Sequence, residues 1–175
     1  MLRVLGLLPL PLLYAFFGCV AWVVRASGWR RNLVIAGLAR CLPELGEAAR
    51  QRTVRQFYVS LGRLAAEFAH ATRISPASLE QRMRFENPEI ILDALRDNRR
   101  VLLLAAHHCN WEWLLLRCST AFGEPLVAAY KPASSQRADV EIQAMRSRFG
   151  ATMVPAQDLV QHLVAQRGRV RLLAL

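Results

Sequence analysis

Apolar positions run unbroken at the start of the chain, where Val4 to Val24 carries no charged residue. At about 1.5 Å per helical residue such a run reaches across a hydrocarbon core, which predicts an amino-terminal membrane helix over residues 1–28. Arg3 precedes the run, whereas Arg25, Arg30 and Arg31 follow it, and this bias predicts that the rest of the chain stays on the cytoplasmic side. Pro9 and Pro11 are expected to bend or break the helix near its start, which also allows a shallow, half-inserted arrangement. Phe16-Phe17-Gly18-Cys19 faintly resembles a lipoprotein cleavage box, but two bulky aromatics before the glycine fit poorly, so an uncleaved anchor is expected.

Periodicity organises the remainder. Trp29 to Leu42 is basic at its start and apolar later, and it ends at Pro43, as an interfacial helix at headgroup depth or an ordinary amphipathic helix would. From Glu47 to Ala69 the residues Val54, Phe57, Tyr58, Leu61, Leu64, Ala65 and Phe68 recur at three- and four-residue steps, predicting one long helix with an apolar stripe. Arg50, Arg52, Arg55 and Arg63 lie mainly off that stripe. A short helix is expected over Pro88 to Arg96, with a turn at Asp97 to Arg100.

Val101 to Ala106 is then a continuous apolar run of strand length, the pattern of a parallel strand buried on both faces. Similar runs follow at Pro125 to Ala129, Ala151 to Val154 and Val170 to Leu175. Helical stretches at Trp111 to Phe122, Ser135 to Phe149 and Gln157 to Arg167 separate them. Strand and helix alternating at this spacing predict an α/β fold, with a mostly parallel sheet flanked by helices. The chain ends inside the last predicted strand, so the sheet is expected to be incomplete and residues 29–175 to be the amino-terminal part of a domain.

Composition narrows the partners. The chain is 54% hydrophobic with a formal net charge of +10, and Lys131 is the single lysine among 23 basic residues. Such an arginine-rich, apolar chain suits anionic lipid headgroups or phosphosugars, and it argues against a nucleic-acid binder, whose charge would run in polar blocks. Cys19, Cys41, Cys109 and Cys118 form no C-x-x-C pair, so neither a metal site nor a disulfide framework is expected.

The candidate chemistry lies in His107-His108-Cys109-Asn110-Trp111-Glu112, where the first predicted strand gives way to a helix. Catalytic groups of open α/β sheets gather at this carboxyl edge. A glutamate five positions after a histidine is able to fold back onto one imidazole nitrogen, leaving the other to take a proton from a hydroxyl. The same pair also fits a capping carboxylate beside a cap or core histidine. Asn110 at a helix start and the adjacent Trp111 and Trp113 add specificity.

Six separate segments resemble the lipid A biosynthesis late acyltransferases, within the wider lysophospholipid acyltransferase-like superfamily. These are the H-x-x-x-x-E spacing with N-W-E-W, Arg30-Arg31-Asn32-Leu33 through Pro43-Glu44, Phe57-Tyr58 through Gly62 and Glu67, Phe85-Glu86-Asn87-Pro88-Glu89, Tyr130-Lys131-Pro132, and Arg146 to Gly150. The resemblance implies direct acyl transfer at the inner membrane, from an acyl carrier protein or coenzyme A thioester to a glycolipid hydroxyl. His107 would be the general base and Glu112 its orienting partner. The thioester would be a co-substrate, with no cofactor or metal. Lys131 is then the candidate for stabilising developing charge, and Arg146, Arg148 and Asn110 are candidates for holding substrate.

His108 and Cys109 stand where the family more often has phenylalanine and glycine, and lysine replaces the common arginine after Tyr130. The family's aspartate-glutamine segment would follow Leu175. Alternatives of the same chemistry are lysophospholipid, ornithine-lipid or polyene-lipid acceptors. An inactive, membrane-bound interaction fragment is the alternative of another class.

Overall fold

The structure, a computed structural model, describes residues 2–166 and 168–175. It divides into two compact units, Met1–Arg73 and Ile74–Leu175, with the division just after the long helix.

The first unit is all helical. A short α1 (Leu2–Leu5) precedes α2 (Leu10–Ala26), α3 (Arg31–Cys41) and α4 (Glu47–Ala71). The uncharged run is therefore not one helix. Pro9 caps α2 and Pro11 sits in its first turn, where a missing N–H costs nothing, so the helix starts there and the preceding segment cannot join it. At 17 residues, α2 is about 25 Å long, short of a hydrocarbon core of roughly 30 Å. Among the described residues no single helix is long and apolar enough to cross a membrane, although α2 and α3, bent by 86°, meet that test as a pair.

Helices α2 and α4 pack antiparallel along a seam of small residues. A Cβ built on Gly62 would lie 2.8 Å from both the Ala21 Cβ and the Phe17 carbonyl oxygen. Tyr14 donates to Glu67 Oε1 at 2.9 Å, and Tyr58 donates to the Trp29 carbonyl at 2.7 Å. The buried line of α4 is Val54, Tyr58, Gly62, Ala66 and Ala69, so the stripe read from bulky residues is displaced. Phe57 is exposed because close helix approach selects glycine and alanine for the contact.

The second unit opens with α5 (Pro76–Arg82), absent from the sequence-based expectation, whose start is capped by the Ser75 hydroxyl. After α6 (Glu89–Arg96) come β1 (Val101–Leu103), α7 (Trp111–Ala121), β2 (Leu126–Tyr130), α8 (Gln136–Arg146), β3 (Thr152–Pro155), α9 (Leu159–Ala165) and β4 (Leu172–Ala174). Every expected strand and helix from residue 88 onward is present; Arg167, the expected end of the last helix, lies outside the described residues.

The four strands pair in parallel in the order β1-β4-β2-β3. The core lies where Leu95, Cys118, Phe122, Leu126, Ala151 and Leu172 meet, with the Phe85 and Phe122 rings 5.1 Å apart. One expectation fails at β1. It is an edge strand with Leu102 51% exposed, and its apolar run leaves the ladder after Leu103. Continuous hydrophobicity alone does not separate a central strand from an edge strand with one uncovered face.

Small residues placed by contact and small residues placed by tolerance should respond oppositely to a methyl group. Gly62→Ala is expected to destabilise the helical unit by about 1–3 kcal/mol through overpacking. Gly18→Ala, whose Cβ would meet nothing within 4 Å, is expected to stabilise α2 by roughly 0.5–1 kcal/mol. Thermal denaturation of both variants in mild detergent measures the difference.

Candidate active site

The strands being parallel, the loops after β1 and β2 leave the same edge of the sheet. The β1 loop is held at its base by backbone bonds from Leu175 N–H to Leu103 O at 3.0 Å and from Ala105 N–H to Leu175 O at 3.3 Å. It then carries His107, His108 and Cys109, all exposed, into Asn110. Asn110 is buried, and its side-chain oxygen accepts from the Trp113 N–H at 2.9 Å. It serves as the N-cap of α7.

Cys109 has φ +53°, a left-handed backbone that a Cβ makes costly and a glycine adopts freely. Its sulfur lies 3.2 Å from His108 Nδ1. A residue with a Cβ thus stands where the backbone favours glycine.

Glu112, in the first turn of α7, is only 3% exposed. A buried carboxylate has to be paired, and the partner is Arg146. Its Nε donates to Oε2 at 2.9 Å and its Nη2 to Oε1 at 2.5 Å, a two-pronged contact. The Trp111 indole N–H adds a third bond to Oε1 at 3.2 Å. The bonds to Glu112, with its charge close by, raise the Arg146 pKa above its usual value against the opposing effect of burial.

The expected hydrogen bond in which Glu112 accepts from His107 is absent among the described residues; the carboxylate accepts from Arg146 and Trp111. His107 instead rests against Trp111, with ring centroids 4.9 Å apart and planes inclined by 45°. The indole is thus shared between carboxylate and imidazole. Sequence spacing puts Trp111 beside the pair but does not show that it lies between them, because spacing cannot weigh a distant arginine against a near histidine.

Lys131 is exposed at the end of β2. Its loop is strapped down by Asp139, which accepts from the Ala133 N–H at 2.8 Å, while Gln143 donates to both Asp139 and the Tyr130 hydroxyl. Arg148 donates to the Ile74 carbonyl at 3.1 Å and lies over the Phe149 ring. Of the three candidate cations, Arg146 and Arg148 are thus engaged with protein groups and Lys131 faces outward. Among the described residues no three His, Cys, Asp or Glu side chains converge as metal ligands.

Removing one member of a buried ion pair strands the other. Arg146→Leu is expected to destabilise the protein by about 3–5 kcal/mol, whereas the double variant Arg146→Leu/Glu112→Leu should lose far less. Urea denaturation of the two single variants and the double variant closes the cycle.

The thiols should also separate by reactivity. Cys118 is buried on α7, and burial pushes its pKa up to about 11, offset only in part by Arg117. At pH 8, iodoacetamide is expected to label exposed Cys19, Cys41 and Cys109 and to leave Cys118 intact, as peptide mass spectrometry would read.

Comparison with known proteins places this arrangement. The chain is 24% identical over 139 residues to the lipid A biosynthesis myristoyltransferase of Escherichia coli (strain K12), a match covering 79% of this chain and 42% of that protein. Lipid A biosynthesis acyltransferase 1 of Shigella flexneri matches to the same extent, and acyltransferase 2 of that organism is 21% identical over 143 residues, 82% of this chain and 45% of the relative. The chain spans less than half the length of these relatives. The family model described as bacterial lipid A biosynthesis acyltransferase matches residues 1–173, so the chain belongs to that family.

Proposed function

We propose that this chain carries the histidine site of an acyltransferase. It would move a fatty acyl group from an acyl carrier protein or coenzyme A thioester to a hydroxyl of lipid A or a related glycolipid. The observation that carries this reading is an exposed imidazole at the carboxyl edge of a parallel sheet, braced by an indole that a buried ion pair fixes.

In this reaction one nitrogen of His107 takes the acceptor hydroxyl's proton as its oxygen attacks the thioester carbonyl. The C–S bond then breaks, and the departing thiolate takes that proton from the imidazolium. Lys131, outward-facing on its strapped loop, stabilises the oxyanion of the tetrahedral intermediate. Glu112 and Arg146 are positioning residues, acting on His107 through Trp111. Asn110 contributes by fixing the start of α7, and Arg148 by anchoring the segment after α8.

The helical unit holds the protein at the cytoplasmic face of the inner membrane. Supporting this, α2 exposes Leu12, Phe16, Val20 and Val23 at helical spacing along one side. A helix that is apolar all round and packed on α4 along only part of its circumference leaves the rest for hydrocarbon.

His107→Ala in the full-length protein is expected to lower acyl transfer to a lipid A precursor by roughly 10²–10⁴-fold, with an unchanged circular dichroism spectrum because the ring is exposed. Full retention of transfer would remove the proposed base.

A further inference from the structure

A cavity of about 280 Å³ opens at the corner of the helical unit, lined by Trp22, Arg25, Ala26, Arg31, Gln51 and Val54. It is smaller than the roughly 300–1,000 Å³ of pockets that enclose drug-sized ligands, so it fits a small polar head. Two guanidinium groups line it and no carboxylate does.

The corner is built to hold them there. Gly28 (φ +72°) and Arg30 (φ +56°) both take left-handed backbone, turning the chain through the 86° between α2 and α3. The Tyr58 hydroxyl, bonded to the Trp29 carbonyl, ties the turn to α4. Arg31 Nη2 donates to Gln51 Oε1 at 3.1 Å, which fixes one guanidinium at the rim and leaves its other donors free. Glu47 accepts from Gln51 Nε2 at 2.7 Å and pairs with Arg50 at 3.3 Å. Its charge is thus met by Arg50, while no carboxylate among the described residues pairs with Arg25 or Arg31.

The surroundings indicate the source of the anion. The pocket sits at the carboxyl end of α2, whose outer side is apolar; exposed Trp22 lines it, and exposed Trp29 lies in the turn between α2 and α3. Tryptophan and arginine at the end of an apolar segment collect at the level of lipid headgroups. We propose that this corner binds the phosphate of an anionic phospholipid headgroup, gripped by Arg25 and Arg31 beside Trp22. The proposal rests on the membrane association argued above, and it adds a defined lipid site on the helical unit.

The test is flotation of the full chain with vesicles of phosphatidylcholine alone or with phosphatidylglycerol. The wild type should prefer the phosphatidylglycerol vesicles. Arg25→Gln/Arg31→Gln should lower partitioning onto them at least about fivefold more than Arg63→Gln/Arg73→Gln, which removes the same charge from exposed positions elsewhere on the unit. Arg25→Lys/Arg31→Lys, keeping charge but not the planar fork, should fall between wild type and the glutamine pair.

Equal losses from the two glutamine pairs would mean diffuse attraction and overturn the site. Equal binding of wild type to both vesicle types would overturn it while leaving membrane association intact; binding to neither would overturn both. Displacement by millimolar inorganic phosphate from phosphatidylglycerol vesicles would point to a soluble anion and also overturn it.

Discussion

The second unit depends on one buried ion pair. A carboxylate excluded from water near a helix start is tolerable only if its oxygens are met, and Arg146 with Trp111 meets them. Because Glu112 opens α7 and Arg146 closes α8, the contact ties two helices that the chain separates by 34 positions. It also orients an indole whose face supports His107. The imidazole rests on that indole, exposed and with no hydrogen bond to its ring among the described residues.

Around that pair the backbone makes several smaller concessions. Where the β1 loop enters α7, Cys109 adopts a left-handed conformation, and Asn110 completes the helix end with its own side chain. On the β2 side, Asp139 and Gln143 hold the loop carrying Lys131 against Tyr130. Both loops begin at carboxyl ends of parallel strands, so base and cation share an edge of the sheet as a consequence of topology. The reaction proposed asks of this edge a proton acceptor and a positive group, and His107 and Lys131 are both exposed there.

The helical unit solves another problem, placing a very apolar helix beside an arginine-studded one. Close packing through Gly62, Ala66 and Ala69 consumes one side of α2 and leaves its bulky residues outside. The sharp turn into α3 then gathers tryptophan and arginine at one level. Apolar surface, aromatic fringe and positive charge follow one another in the order in which a lipid presents tails, interface and headgroup.

The sequence by itself determined the local order of elements. Apolar runs broken by turn residues are enough to mark strands from Val101 onward and the helices between them, and Pro9, Pro43 and Ser75-Pro76 act as boundaries because their constraints are intrinsic to the backbone. The H-x-x-x-x-E spacing likewise falls on the segment that leads from β1 into α7. Tertiary structure alone decided which groups meet. Strand order put β1 at an edge and exposed Leu102, close helix approach favoured Gly62 over Phe57 on the buried side of α4, and Arg146 took the carboxylate that spacing had offered to His107. Pairing of buried charge and closeness of packing are settled by neighbours distant along the chain, and a one-dimensional pattern does not contain those distances.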